Sequence, residues 1–285
     1  MTHQFRRIVV LGAGGKLGRA VIAAHPGSHI LGVSRRGADV WVRSWHWFDR
    51  RNCQQLSRVL AQADAVIDLC CFDSATAEGL LQACPHQLPL IFASSIAERE
   101  PAYWPLPESQ LGPEPADLYG QGKRAAAELL LHHWQGPLLV ALLPQLVCLD
   151  DRGEPALAYV TTAAQTGQVA LAGSGDQQIA TLECRAVARL FAQWLANPNG
   201  KTRVQLNHPR PQTLRVLVDA LMQGAELSPQ IVIGAKRGPH SGGDEPLYTG
   251  SMTQWQGEVT MRPLTEAFAQ LGRLWKHNDF PDHPV

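Results

Sequence analysis

A tyrosine and a lysine four residues apart carry the clearest chemical signal in this chain. They stand in the segment Tyr119-Gly120-Gln121-Gly122-Lys123, and positions i and i+4 of a helix share one face. A lysine ammonium close to a phenol favours the phenolate and lowers the phenol pKa, which makes the tyrosine usable as a base near neutral pH. The pair therefore predicts a catalytic base. The alternative is a tyrosine at a helix start beside a surface lysine.

A glycine-rich turn near the start of the chain has the features of a phosphate-binding loop. Three of its glycines fit a GxxGxxG pattern between an apolar run and a helical stretch. Glycine there permits a sharp bend and close approach of the backbone to a pyrophosphate, and the helix N-terminus offers unpaired N–H groups. We predict a dinucleotide site; a tight turn that binds nothing is the alternative. The residues expected to contact the cofactor are Gly12, Gly14, Gly15, Lys16, Leu17 and Gly18.

The residues that close the second predicted strand bear on the kind of dinucleotide. Ser34, Arg35 and Arg36 stand there, without a carboxylate. A carboxylate at this place would bind the ribose 2′-hydroxyl of NAD, whereas arginine suits the 2′-phosphate of NADP. The sequence therefore favours NADP, with NAD as the alternative because arginines at strand ends are common for other reasons.

Strands and helices must alternate to position these residues. Apolar, β-rich runs predict strands at 8–11, 29–34, 65–70, 90–94 and 138–143, with a further run that closes at Phe48 and Asp49. Helices are predicted at 17–24, 54–61, 75–83 and from 117 or 118 to 134, and later at 184–195 and 214–222. Residues 234–243 are predicted to form a glycine-rich loop. The alternation is typical of βαβ units in a parallel, doubly wound sheet.

The composition excludes several classes of protein. The 285 residues include 25 basic and 25 acidic side chains, so the basic excess expected of a nucleic-acid-binding domain is missing. No apolar stretch reaches the ~20 residues of a membrane span, and no secretory signal is visible. The six cysteines show no CxxC pair, so neither a disulfide framework nor a zinc site is expected, and a reducing compartment is favoured. We therefore expect a soluble, cytoplasmic protein.

From residue 5 to residue 150 the chain resembles the extended, NAD(P)-dependent epimerase/dehydratase branch of the short-chain dehydrogenase/reductase superfamily. The resemblance is collinear: the glycine turn is followed by ADAVIDLCC, LIFASSIA and PESQLGPEPADLYGQGKRAAAE. The last third is similar only in outline, through LAGSGDQQIATLECRAVARLF and a C-terminal segment. The resemblance implies a small-molecule substrate and a homodimer.

The resemblance also implies roles for particular residues. Ser95, Tyr119 and Lys123 would form a catalytic triad, in which Ser95 binds the substrate oxygen, Tyr119 moves the hydroxyl proton and Lys123 holds the nicotinamide ribose. Ser94 is the alternative serine, because neighbouring strand residues face opposite sides of a sheet. Asp49 would lie near the adenine of the cofactor.

Substrate contacts and reaction type follow less directly. Arg237, beside Lys236, and Arg262 stand where the family often grips a diphosphate, with a solvated basic surface as the alternative. Members of the family that eliminate water carry an Asp-Glu pair straight after the serine. Ile96 and Ala97 occupy those positions here and cannot transfer protons, so dehydratase activity is disfavoured.

These observations predict an α/β protein with a Rossmann-type doubly wound parallel sheet and a small C-terminal substrate lobe. Residues 1–147 and 177–206 would form the dinucleotide-binding domain, and 148–176 with 207–285 the substrate lobe. The predicted function is NAD(P)-dependent oxidoreduction or epimerisation at a secondary alcohol or ketone, with a nucleotide-sugar-like compound as one candidate substrate. The alternative is a non-enzymatic NADP-binding sensor or regulatory protein.

Overall fold

The computed structural model describes residues 7–35, 44–84, 87–99, 112–149, 151, 153–235 and 260–278. Two of the predicted site residues, Arg36 and Arg237, lie outside these ranges. The described residues divide into two compact units. One contains those of Met1–Pro144 and Cys184–Leu206, and the other those of Gln145–Glu183, Asn207–Ser251 and Thr260–Val285.

The elements follow one another in a regular alternation through the first half of the chain. The strands are β1 (Arg7–Leu11), β2 (His29–Ser34), β3 (Ser44–Trp47), β4 (Ala65–Asp68), β5 (Leu90–Ser95), β6 (Leu138–Leu143), β7 (Gln145–Val147), β8 (Gln168–Ala172), β9 (Gln178–Ile179), β10 (Thr181–Glu183), β11 (Lys201–Gln205), β12 (Gln212–Thr213) and β13 (Gln230–Ala235). The helices are α1 (Lys16–Ala23), α2 (Cys53–Leu60), α3 (Ser74–Ala83), α4 (Leu118–His133), α5 (Leu157–Thr166), α6 (Cys184–Ala196), α7 (Leu214–Ala225) and α8 (Leu264–His277). A 3₁₀ turn, Ile96–Glu98, follows β5.

Seven parallel strands form the central sheet of the first unit, in the order β11-β6-β5-β4-β1-β2-β3. Strands such as β4 and β6 are buried along their whole length, as expected for a parallel sheet covered on both faces. The order reverses between β1 and β4, so the loops after these two strands diverge. Ligands of open α/β sheets bind in the crevice at such a switch point.

Helices cover the sheet and bury its apolar side chains. Residues of α2, α3 and α4 form one core cluster with Leu11, Phe92 and Val140 of the sheet. Trp134, directly after α4, belongs to the same cluster. Helix α1 packs against α6. This burial fixes α4 against the carboxyl ends of β4 and β5, where the tyrosine and the lysine are found.

The second unit has its own core of α5, α7, α8 and short strand pairs. β7 pairs with β10 and β8 with β13 in parallel, while β9 and β12 are antiparallel. Gly224 of α7 and Gly272 of α8 allow the two helices to cross closely, because a Cβ at either position would overlap the backbone of the other helix. The unit therefore holds together without a large sheet.

The predicted fold class is confirmed, and most predicted elements of the first unit are correct within a few residues. The structure adds α5, α8, β11 and the short strands of the second unit, which the sequence pattern did not reveal. The predicted loop at 234–243 is wrong at its start, because residues 234 and 235 belong to β13. Residues 145–147 and 177–183, assigned by sequence to the first domain, lie in the second unit; the domain boundaries stay a prediction.

The cysteines depart from the expectation in one respect. Four carry free thiols, namely Cys53, Cys70, Cys71 and Cys84. Cys148 and Cys184, however, are disulfide-bonded, which the spacing of the cysteines in the sequence did not predict. None of the helices in the described part of the chain is long and apolar enough to cross a membrane.

Candidate active site

The glycine turn after β1 is fastened to the strands on either side. The N–H groups of Gly12 and Ala13 both donate to the carbonyl oxygen of Val33 at the end of β2, at 2.9 and 3.2 Å. Gly12 has φ of +85°, and a Cβ there would lie 3.2 Å from the Cβ of Cys70, just beyond β4. Only glycine adopts this conformation without strain. The turn therefore sits at the switch point of the sheet.

The other glycines of the turn form a closely packed backbone cradle at the start of α1. A Cβ at Gly14 would lie 2.9 Å from the Ser34 hydroxyl oxygen, and one at Gly18 would overlap the carbonyl of Ala13. Gly15 is the N-cap of α1 and places no side chain over the first N–H groups of the helix. A phosphate is the group that such a cradle and helix terminus fit, so the predicted residues suit a dinucleotide.

The residues at the ends of β2 and β3 are charged and exposed. Arg35 follows β2, and Asp49 follows β3 by two residues. The pKa of the Asp49 carboxyl is lowered, first by the backbone N–H of Arg51, which donates at 3.0 Å, and then by the charges of Arg51 and Arg35. An arginine and a carboxylate thus stand close together at the edge where the predicted adenine and 2′-phosphate contacts lie.

Ser95 and Tyr119 lie close enough to interact. Ser95 ends β5, Tyr119 lies in the first turn of α4, and the Ser95 hydroxyl lowers the pKa of the phenol. Ser95 Oγ also accepts from the N–H of Ala97 at 3.1 Å, which orients the hydroxyl group. Ser94, the alternative serine, is buried beside the Glu98 carboxyl instead. Of the two serines, the geometry joins Ser95 to the tyrosine.

Lys123 lies below the tyrosine in a buried position. Its ammonium donates to the carbonyl oxygens of Cys71 and Ala93, both at 2.8 Å. The Nζ atom is 5.9 Å from the centre of the Tyr119 ring and 4.7 Å from that of Phe72. Burial lowers the pKa of Lys123, opposed mainly by the negative charge of Asp68. The i, i+4 spacing places the two side chains on the same face of α4, with Nζ of Lys123 5.9 Å from the centre of the Tyr119 ring.

The expected effect of Lys123 on the tyrosine is wrong in this structure. The pKa of Tyr119 is raised above its ordinary value, because burial penalises the phenolate more than the Ser95 hydroxyl favours it. The ammonium is turned toward the two carbonyls, so it does not offset the burial. At neutral pH Tyr119 is therefore a neutral phenol that can donate a proton.

No family model matches the chain. A 2′-dehydrokanamycin reductase from Streptomyces kanamyceticus is 28% identical over 224 residues, which cover 72% of this chain and 63% of that protein, just under two thirds of its length. UDP-N-acetylglucosamine 4-epimerase from Bacillus cereus superposes with a TM-score of 0.79 at 14% identity, covering 95% of this chain and 99% of the epimerase. MoeE5 in complex with UDP-glucuronic acid and NAD gives a TM-score of 0.79 at 19% identity, with 95% and 99% coverage.

The chain has the fold of these epimerases. The resemblance to the extended short-chain dehydrogenase/reductases is thereby confirmed at the level of the fold.

Two glycines in the first two turns of α4 allow this helix to pack closely against its neighbours. A Cβ at Gly122 would lie 2.5 Å from the carbonyl oxygen of Phe72, and one at Gly120 would overlap the carbonyl of Ala97. The glycines between the tyrosine and the lysine therefore let α4 approach the loops after β4 and β5.

A buried ion pair next to the glycine turn was not predicted from the sequence. Nη1 of Arg50 lies 2.5 and 2.6 Å from the two carboxylate oxygens of Asp68, and both side chains are buried. Burial penalises the arginine charge, but the Asp68 carboxylate outweighs that penalty and raises the pKa of Arg50. Asp68 also accepts from the N–H of Cys70 at 3.1 Å. The pair therefore fixes the loop that carries the Lys123 acceptor Cys71.

A buried carboxylate in the turn after Ser95 was also not predicted from the sequence. Glu98 is fully buried in the 3₁₀ turn, with Oε2 3.6 Å from Nη2 of Arg203, and its backbone oxygen accepts from Arg124 at 2.7 Å. Burial raises the pKa of Glu98, opposed by the Arg203 charge and the Ser94 hydroxyl. Glu98 thus ties the turn after Ser95 to α4 and β11. No pattern in the sequence distinguishes this glutamate from a surface one.

Arg262 of the second unit is held by acidic and polar partners. Its Nε lies 3.8 Å from Glu183 and 3.9 Å from Glu266, and its Nη1 is hydrogen-bonded to Gln270. These contacts give the guanidinium a structural role within that unit. The other basic residues predicted to face a diphosphate, Lys236 and Arg237, lie outside the described residues.

Proposed function

We propose that this chain is a nicotinamide-dependent oxidoreductase that reduces a ketone on a sugar-like ring, or oxidises the corresponding secondary alcohol. One observation carries the proposal: Ser95, Tyr119 and the buried Lys123 lie together at the carboxyl ends of the strands, beside the glycine turn at the switch point. The relative from Streptomyces kanamyceticus is named as a reductase of a dehydro-sugar compound, which supports the same reaction class.

The residues of the chain divide the chemistry between them. A nicotinamide held by the glycine cradle supplies or accepts the hydride. Ser95 binds the substrate oxygen, and Tyr119 transfers the proton to or from that oxygen. Lys123 contributes its positive charge and its remaining N–H, because the carbonyls of Cys71 and Ala93 accept only two hydrogen bonds.

The raised pKa of Tyr119 supports reduction as the favoured direction at neutral pH. A neutral phenol can protonate the oxygen of a ketone as the hydride reaches its carbon. Elimination of water needs further groups that move protons, and the two residues directly after Ser95 are Ile96 and Ala97. Neither side chain ionises, so dehydration is disfavoured. Epimerisation, by oxidation and re-reduction on the opposite face, would use the same three residues.

We propose NADP as the preferred cofactor. Arg35 is exposed at the end of β2, where a 2′-phosphate would bind, and no carboxylate ends that strand. MoeE5 is described with NAD, so the comparison supports a nicotinamide cofactor in general rather than this preference. Dissociation constants for NADPH and NADH measured by fluorescence test it, and tighter binding of NADH would reject it. A homodimer and a cytoplasmic location stay predictions.

The experiment that tests the proposed function is a turnover assay with a panel of keto-sugars. Oxidation of NADPH should accelerate on addition of at least one panel member, and the reduced sugar should appear in equal amount. If NADPH binds tightly while no panel member is reduced, the result favours the alternative of a cofactor-binding sensor. If no nicotinamide cofactor binds, both interpretations fail.

A further inference from the structure

We propose that Phe72 forms an aromatic wall of the substrate pocket and selects ketones whose carbonyl belongs to a saturated ring. This inference rests on the proposed function and names the substrate class of the same site. Phe72 follows β4 and is 51% exposed, although it is a large apolar side chain beside buried polar groups. Apolar surface exposed next to reactive groups is typical of a ligand-binding surface.

The ring of Phe72 lies beside the two reactive side chains of α4. Its centre is 6.4 Å from the centre of the Tyr119 ring, at an interplanar angle of 45°, and 4.7 Å from Nζ of Lys123. One side of the ring is thus occupied by protein, and about half of the side chain remains in solvent. Tyr119 is likewise 48% exposed. A substrate whose oxygen reaches the Tyr119 hydroxyl therefore lies within reach of the Phe72 ring.

The backbone on both sides of Phe72 is held by contacts with neighbouring residues. These contacts keep the side chain of Phe72 in its exposed position. The carbonyl of Phe72 lies against Gly122, where a Cβ would be 2.5 Å away. The preceding carbonyl, of Cys71, accepts from Lys123 at 2.8 Å. The following residue, Asp73, caps α3 by accepting from the N–H of Thr76 at 2.8 Å. The ring is consequently held at the mouth of the site.

The aromatic ring of Phe72 favours substrates that present many C–H groups to its face. An aromatic face gains from covering C–H groups, and a saturated six-membered ring presents a flat array of them. An open-chain ketone covers less of the aromatic face and loses more conformational entropy on binding. Covering about half of the exposed surface of the side chain should strengthen binding of a ring ketone by about five- to tenfold.

The test compares Phe72→Ala and Phe72→Trp with a matched control, Leu118→Ala. Leu118 is 85% exposed and precedes Tyr119 on α4, but adjacent helix residues do not share a face. The substrates are a keto-hexopyranoside, cyclohexanone and the open-chain hexanone. Phe72→Ala should raise KM for the two ring ketones about five- to tenfold while KM for hexanone, kcat and the NADPH dissociation constant change less than about twofold. Phe72→Trp should retain the wild-type KM for the ring ketones.

Two outcomes would overturn the inference. One is equal loss for ring and open-chain ketones, and the other is an effect of Leu118→Ala as large as that of Phe72→Ala. If the wild-type chain reduces none of the ketones, the proposed function fails separately. Calorimetric binding of the keto-hexopyranoside to the wild type and to Phe72→Ala then still decides the role of Phe72, since equal affinities reject it and weaker binding to the variant supports it.

Discussion

Single residues of the site are held where their charged forms are penalised. Burial raises the pKa of Tyr119 and lowers that of Lys123. Burial also raises the pKa of the neighbouring thiols. Burial, and then the charge of Asp68, raises the pKa of Cys70 to about 11 and that of Cys71 to about 12. These cysteines are therefore un-ionised packing groups at neutral pH. In the proposed mechanism, the groups that exchange a proton with the substrate are the Ser95 and Tyr119 hydroxyls.

Substitution of the two neighbouring serines should have unequal effects. Ser95→Ala removes a hydrogen-bond donor to the substrate oxygen, so kcat for ketone reduction should fall about 10²- to 10³-fold with an unchanged NADPH dissociation constant. Ser94→Ala is the matched control, because Ser94 lies beside Glu98 and away from Tyr119. Its effect on kcat should be at least tenfold smaller, about 10-fold or less on the same scale. A larger loss for Ser94→Ala in steady-state kinetics would contradict the assignment.

The direction of the Tyr119 pKa shift predicts opposite pH profiles for the two directions of reaction. Reduction needs the protonated phenol, so its kcat should stay level through neutral pH and fall only as alkaline pH passes the raised pKa. Alcohol oxidation needs the phenolate, so its kcat should climb over the same alkaline range. Because the Ser95 hydroxyl lowers this pKa, Ser95→Ala should move both limbs to higher pH. Reduction that rises with alkaline pH would argue against Tyr119 as the acid.

At the scale of elements, the position of α4 depends on what surrounds its first two turns. Asp117 caps the helix by accepting from the N–H of Gly120 at 2.8 Å, and Gly120 and Gly122 allow the close approach to neighbouring backbone. The loop after β4, held by Arg50 and Asp68, supplies one of the two carbonyls that bind Lys123. Packing of backbone on backbone thus determines where the tyrosine and lysine point.

A side chain at Gly122 should therefore disturb both stability and the site. Gly122→Ala puts a Cβ 2.5 Å from the Phe72 carbonyl oxygen, and the required shift should destabilise the protein by about 1–3 kcal/mol. Gly79→Ala in α3 is the matched control, because its Cβ would meet nothing closer than 3.8 Å. That change should be neutral or stabilising by up to about 1 kcal/mol. Equal free energies of unfolding for the two variants, measured in urea, would contradict the close-packing argument.

The buried Arg50–Asp68 pair should contribute far more to stability than an exposed pair next to it. Asp68→Asn leaves the buried guanidinium without a carboxylate, and should cost about 3–5 kcal/mol. Arg51 and Asp49 form the matched exposed pair, at 3.6 Å with 77% and 45% exposed side chains, so Arg51→Ala should cost at most about 1 kcal/mol. Chemical denaturation of both variants measures the difference. Similar costs would show that the pair does not fix the loop after β4.

At the scale of the whole molecule, the two units differ in how far the sequence predicts them. Strands of the first unit are continuous apolar runs such as Leu138–Leu143, and α4 has a full helical pattern, so local sequence indicates both. β8 and β13 pair across about sixty intervening residues, and strands such as β9 have two residues, so no local pattern marks them. The tyrosine, the lysine and the glycines followed from spacing. Arg50, Asp68 and Glu98 did not, because burial of a charge depends on partners distant in sequence.

In the proposed enzyme, catalysis depends on one side chain that can transfer a proton. Zero net charge says nothing of this site, since its charges are arranged locally around the glycine turn and α4. Tyr119→Phe keeps the ring that contacts Phe72 and removes only the hydroxyl. The most direct measurement is NADPH oxidation with the best keto-sugar, together with the NADPH dissociation constant, for the wild type and this variant. We expect turnover to fall by about 10²- to 10⁴-fold while NADPH binding is unchanged; full turnover by the variant with cofactor bound would contradict the account.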